Sequence, residues 1–145
     1  MNTKMNLSSQ VVLERLHRAQ SQHDLESFVA CFAPDYQSEQ PIHPDRAFRG
    51  REQVRKNWST VFSEMPDFQS ELLRTTTEDD IAWAEWHWYG TLADGERFDW
   101  WGVTIFGVQD NQIRWGRLYM EPVQAPDAGI DAAVKSMTHS STQER

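Results

Sequence analysis

Residues 81–121 read IAWAEWHWYGTLADGERFDWWGVTIFGVQDNQIRWGRLYME, and their reading decides the fold. Six of the seven tryptophans lie here. Two dipeptides interrupt the run, Asp94-Gly95 and Asp110-Asn111. Both are turn signals, because Gly and Asn accept the positive φ that tight hairpin turns require. Between them lie aromatic and β-branched residues, which suit a pleated, half-buried surface. The pattern predicts three antiparallel strands over roughly 81–92, 96–109 and 112–121.

A two-residue loop at Asp94-Gly95 sets a register in which Ala93 faces Glu96, Tyr89 faces Trp100, His87 faces Gly102 and Glu85 faces Thr104. Side chains alternate across a strand. One face then carries Trp83, Glu85, His87, Tyr89, Trp100, Gly102, Thr104 and Phe106. The other carries Ala82, Ala84, Trp86, Trp88, Trp101, Val103 and Ile105. A slip of one residue would exchange the faces, so the turn is decisive.

Working outward, the 145-residue length points to one domain, and 39% hydrophobic residues supply a core. A mean hydropathy of -0.71 and the lack of any apolar run near ~18 residues exclude a membrane helix. The first residues, MNTKMNLSSQ, carry no secretory signal. A net charge of -8 argues against nucleic acid or an acidic membrane as partner. The single cysteine, Cys31, precludes an internal disulfide, reads as a buried structural thiol and suits the cytoplasm.

Residues 1–6 are expected to be disordered. Over 7–22, Val12, Leu16 and Ala19 recur at helical spacing, with His17 and His23 off that stripe and expected in solvent. Asp24 is a natural N-cap for a second helix that buries Leu25, Phe28, Val29 and Phe32 and ends at Pro34-Asp35. Tyr36–Gln40 reads as a short strand, 41–45 as a Pro-rich loop, and Gly50 opens a third helix with Val54, Trp58, Val61, Phe62 and Met65 on one stripe. Phe68–Thr77 is a further strand. Past Pro122, residues 124–145 form an extension with a short helix over 127–137 and a polar tail, Thr138–Arg145. This order gives an α+β fold with helices gathered on one face of a curved antiparallel sheet.

The segments DLESF at 24–28, CFAPD at 31–35, FRGREQVR at 48–55 and IRWGRLYMEP at 113–122 resemble the nuclear transport factor 2-like superfamily, and within it the SnoaL-like proteins. The resemblance spans 7–123. It implies a cone-shaped barrel, a curved antiparallel sheet packed on three N-terminal helices, with a ligand pocket on the concave side. It also implies dimers through the convex side. The catalytic positions of ketosteroid isomerases fall on Leu16, Gln40 and Thr104, and those of limonene epoxide hydrolases on Glu85, His87 and Leu118, so neither constellation is present. The looser acid-plus-histidine pattern of SnoaL-type cyclases survives as Glu85 and His87.

The expected site follows. His87 is the candidate titrating group and Glu85 its orienting partner, two residues apart on one strand face and about 7 Å apart at the backbone. Such a pair shuttles a proton in acid–base catalysis by a cofactor-free isomerase, cyclase or hydrolase. Tyr36, Gln40, His43, Trp58, Trp83, Tyr89, Trp100, Thr104, Leu118 and Met120 are the expected ligand-binding residues. A polar pair that merely satisfies itself inside an aromatic core leaves a non-catalytic binder or an interaction module instead. No metal-ligand spacing and no phosphate loop occur, and no cofactor is expected. The expected partners are a small hydrophobic molecule and a second copy of the chain. The latter would meet a convex patch of Trp86, Trp88, Trp101, Val103 and Ile105, extended by Trp115 and Tyr119.

Overall fold

All three strands read from residues 81–121 form, as β4 (Ile81–Thr91), β5 (Arg97–Gln109) and β6 (Gln112–Pro122). The structure is a computed structural model and describes residues 8–139. Before these strands come α1 (Ser9–Ser21), α2 (Leu25–Ala30), β1 (Phe32–Glu39), β2 (Phe48–Arg49), α3 (Arg51–Glu64) and β3 (Gln69–Glu78). After them comes α4 (Ile130–Thr138). The sheet runs β2-β1-β6-β5-β4-β3, curved and unclosed, with β2 and β3 at its edges. β1 joins β6 in parallel; the other pairings are antiparallel.

The two hairpin turns differ in length. Gln109 faces Gln112, so Asp110-Asn111 is the expected two-residue loop, with φ of 55° and 64°. At the other hairpin, Leu92 N donates to Glu96 O (2.9 Å) and Gly95 N to Leu92 O (2.8 Å). The loop is therefore Ala93-Asp94-Gly95, three residues, with Gly95 at φ 89°. This is a β-turn followed by a left-handed residue, the common three-residue hairpin.

That extra residue corrects the expected register. Tyr89 faces Asp99, His87 faces Trp101 and Glu85 faces Val103. Trp88 faces Trp100, Trp86 faces Gly102 and Ala84 faces Thr104. The inner face of β4 is thus Ala82, Ala84, Trp86 and Trp88, whereas Trp83, Glu85, His87 and Tyr89 face outward. On β5 the expected inner set, Trp100, Thr104 and Phe106, holds, and on β6 Leu118 and Met120 join it. Trp86 is 1% exposed, and its Nε1 donates to Thr104 Oγ1 at 2.9 Å. That bond satisfies an indole N–H that burial would otherwise strand.

α1, α2 and α3 lie against the inner face. Ser8 caps α1, its Oγ accepting from Val11 N, and Asp24 caps α2, accepting from Ser27 N. Val12, Leu13, Leu16 and Ala19 of α1, with Phe28 of α2 and Val54 of α3, enter the core. His17 and His23 are not in solvent as expected. Their Nε2 atoms donate to Ser70 O (2.8 Å) and Phe68 O (2.9 Å), tying α1 and its C-terminal end to edge strand β3 and the turn before it. Phe32–Asp35 belongs to β1 and not to the end of the second helix, because Phe32 already pairs with Ile113. Cys31 is buried, as expected, and burial pushes its thiol up to about 11. α4 forms where the extension predicted a helix, and none of its residues is buried. The expected disorder of residues 1–6 falls outside the described residues, as do 140–145 of the polar tail.

Candidate functional site

A cavity of about 190 Å³ opens between the inner face of the sheet and the helices. The helices contribute Leu16 and Gln20 from α1, Phe28 from α2, and Val54, Asn57, Trp58 and Val61 from α3. From the sheet come Phe32, Tyr36 and Ser38 of β1, Trp86 and Trp88 of β4, Thr104 and Phe106 of β5, and Leu118 of β6. Phe48 and Gln40 complete the wall. The rings interlock: Trp58 meets Phe28 at 4.8 Å and stands edge-on to Trp88 at 5.3 Å between centroids. Trp58 lies four residues after Val54 on α3 and Trp88 two after Trp86 on β4, so each pair shares a face.

Among the described residues, no Asp, Glu, Lys, Arg or His stands in this wall. Tyr36 is its titratable group. It is 2% exposed, and burial pushes its hydroxyl up to about 12 against the opposing hydrogen bond from Ser38. It therefore stays a neutral phenol at ordinary pH. Gly116 lets that hydroxyl approach β6, since a Cβ there would lie 2.5 Å from it. Gln40 accepts from Arg46 Nη1 (3.1 Å) and Asn57 accepts from Gln53 Nε2 (2.7 Å). Thr104 Oγ1 accepts from Trp86 Nε1, as above. Among the described residues, no group of His, Cys, Asp and Glu has the arrangement to hold a metal ion.

Of the expected ligand-binding residues, the structure brings Tyr36, Gln40, Trp58, Thr104 and Leu118 together around this cavity. Met120 is 3% exposed and lies in the core beside it, on the same sheet face. Trp100 packs against that core and stacks on Phe98 at 5.5 Å. His43 is outside the wall, with Nε2 2.8 Å from Glu121 Oε2. Trp83, Tyr89, Glu85 and His87 are corrected to the outer face by the three-residue loop. There the expected Glu85/His87 pair is replaced by other partners. Arg74 Nε donates to Glu85 Oε1 at 3.0 Å. His87 has Nδ1 3.0 Å from Glu71 Oε1 and Nε2 2.6 Å from Asp99 Oδ1. Its ring lies against Trp101 (4.3 Å) and Tyr89 (4.7 Å). Both carboxylates accept at once only from an imidazole that donates from both nitrogens.

Sequence reasoning missed Trp86, Trp88 and Gln20 as cavity residues. A signal existed for each. The row Ala82, Ala84, Trp86, Trp88 carries no charge, the mark of an inward face. Gln20 sits four residues after Leu16 on the apolar stripe of α1, a polar residue where the helix is buried.

The sequence profile of the SnoaL-like domain matches residues 13–115. A search of curated protein sequences finds no match. Among solved structures, a protein assigned as a SnoaL-like polyketide cyclase from Jannaschia sp. superposes with a TM-score of 0.67 at 17% identity, over 83% of this chain and 92% of that one. An LEH-like epoxide hydrolase of M. tuberculosis does so with 0.67 at 17% identity, over 78% and 82%. A cystatin-fold protein of Novosphingobium aromaticivorans gives 0.65 at 16%, over 78% and 98%. At these identities the likeness is one of fold. No helix among the described residues is long and apolar enough to cross a membrane.

Proposed function

The chain belongs to the SnoaL-like domain family, and we propose that it is a binding member, holding one uncharged, largely apolar small molecule in its cone. The observation that carries this reading is the wall: aromatic and aliphatic side chains, a few neutral polar groups and no charge. Small-molecule sites have that composition. General acid–base catalysis instead needs a group that exchanges a proton near the working pH, within hydrogen-bond reach of the substrate. Burial moves Tyr36 away from that range. Glu85 and His87 face away on the far side of the sheet. The reactions named for the cyclase and hydrolase structures are therefore not carried over. One observation favours the second reading, an isomerase, cyclase or hydrolase without cofactor: a buried neutral phenol such as Tyr36 can donate to a carbonyl that gains charge.

Mass spectrometry of small molecules released from the purified chain, followed by calorimetry with the molecule found, tests the binding reading. The expected result is one neutral molecule bound and recovered unchanged. Recovery of a transformed product, or binding confined to ionised molecules, would overturn it.

A second copy of the chain is the proposed macromolecular partner. Trp83, Trp101 and Trp115 are 47%, 42% and 36% exposed on the outer face, with Val103, Ile105 and Tyr119 between them. Trp86 and Trp88, expected in this patch, lie inside instead. Three exposed tryptophans on one sheet face, with Glu85, His87 and Arg117 among them, suit a two-fold interface. Sedimentation should show a dimer that Trp101→Arg weakens; a wild-type monomer at micromolar concentration would remove the proposal. The buried free thiol of Cys31 fits the cytoplasm as the compartment.

A further inference from the structure

Gln20, on α1, is 1% exposed, and its Oε1 has no hydrogen-bond partner. Trp88, on the sheet side of the cavity wall, has a buried Nε1–H that is also without one. An unpaired buried polar atom destabilises the protein that carries it, and native structures hold few of them. Leucine or methionine would fill the position of Gln20 with no such penalty. The terminal torsion of a glutamine is broad, so its amide can turn either its oxygen or its NH2 towards the cavity.

The unpaired Gln20 amide defines what would complete it: a hydroxyl group both donates and accepts, so it pairs with that amide whichever end is turned to the cavity. A charged group does not fit, since the wall offers no counter-charge and burying an unpaired ion is strongly unfavourable. Volume sets the size. An apolar cavity of about 150 Å³ holds benzene, and this one measures about 190 Å³. One ring with small substituents fills it.

We propose that the ligand is an uncharged single-ring molecule bearing a hydroxyl, a phenol or a cyclic alcohol, and that Gln20 selects the hydroxyl. This rests on the binding reading above and names the ligand class for that same site.

The test compares para-cresol with toluene, which differ by that hydroxyl, by calorimetry on the full chain. Water solvates the phenol better, so a preference for it reports a hydrogen bond made inside the cavity. The wild type is expected to bind para-cresol about tenfold more tightly than toluene, and Gln20→Leu to abolish that preference, read as the ratio of the two affinities within each protein. Gln20→Leu should also raise the Tm of the ligand-free chain, because it removes an unpaired oxygen. Gln20→Met, unbranched like glutamine, repeats the test should leucine not fit. Equal or tighter binding of toluene by the wild type overturns the inference and leaves the binding reading standing. So does a preference that survives both substitutions, or a lowered Tm in both, which would mean that the amide has its partner within the protein. Binding of neither compound overturns the inference and leaves the binding reading to the released-molecule test.

Discussion

On β4, the side chains that face the helices are Ala82, Ala84, Trp86 and Trp88, and those that face away are Trp83, Glu85, His87 and Tyr89. Both rows hold tryptophan, so aromatic content does not tell them apart. Charge does. The inner row has no ionisable group, and its Trp86 N–H is bonded within the core. The outer row keeps its acid and base near water, where Arg74, Glu71 and Asp99 on neighbouring strands meet them. Large rings tolerate either side of a sheet, because a folded surface is itself largely apolar. An unpaired charge tolerates only one.

The largest expected effect breaks the inner row. Trp86→Ala should destabilise the chain by about 3–5 kcal/mol, through lost burial and the cavity left behind. Trp83→Ala, at a side chain 47% exposed, should change monomer stability by less than about 1 kcal/mol. Urea denaturation measures both. Equal losses would mean that the two rows are not sorted as described.

A pH series sharpens the same comparison from the inside. Burial raises Tyr36 from 10.0 to about 12 and Cys31 from 9.0 to about 11. Below pH 9, folded and unfolded chains both keep these protons, and neither group makes stability depend on pH. Between pH 9 and 11 for Cys31, and 10 and 12 for Tyr36, only the folded chain keeps them. Ionisation then favours the unfolded state, so stability falls as pH rises, by about 2–3 kcal/mol for each group. Cys31→Ala should remove the part of the fall that begins near pH 9, and Tyr36→Phe the part that begins near pH 10. Unfolding midpoints in urea from pH 8 to 12 would show it. A flat profile would mean that water reaches both groups.

Much of this architecture was legible in the residues. Asp24 caps its helix as its side chain allows, Gly50 opens α3, and Asp110-Asn111 turns the last hairpin with two residues in the left-handed region. The loop alone did not make the face of β4 legible, because Asp-Gly serves two loops; the uncharged row Ala82, Ala84, Trp86 and Trp88 was the signal that decides it. Asp-Gly can fill a two-residue turn, or it can end a three-residue loop with Gly in the left-handed position. The two differ by one residue, and side chains alternate with a period of two, so the choice exchanges inside and outside. The cavity set on β1, α3, β5 and β6 survived, since its placement does not depend on that loop. Glu85 and His87 depend on it entirely. The parallel pairing of β1 with β6 leaves no local mark either, because its partners are 81 positions apart at Phe32 and Ile113.

The smallest expected effect is the most discriminating for that loop. Glu85 Oε1 accepts from Arg74 Nε, and the Arg74 side chain is 84% exposed. Exposed ion pairs contribute about 0.2–1 kcal/mol, and salt screens them. Glu85→Gln keeps the shape of the side chain and removes its charge. It should therefore change stability by less than about 1 kcal/mol at low salt and by nothing measurable at high salt. With a two-residue loop, Glu85 would face the cone among rings, far from Arg74. Neutralising a carboxylate there would remove a desolvation penalty of several kcal/mol and stabilise the chain with little response to salt. The two registers thus predict different signs and different salt dependence for one substitution. A small loss that vanishes in salt keeps Glu85 outside, and a large salt-insensitive gain would return it to the cone.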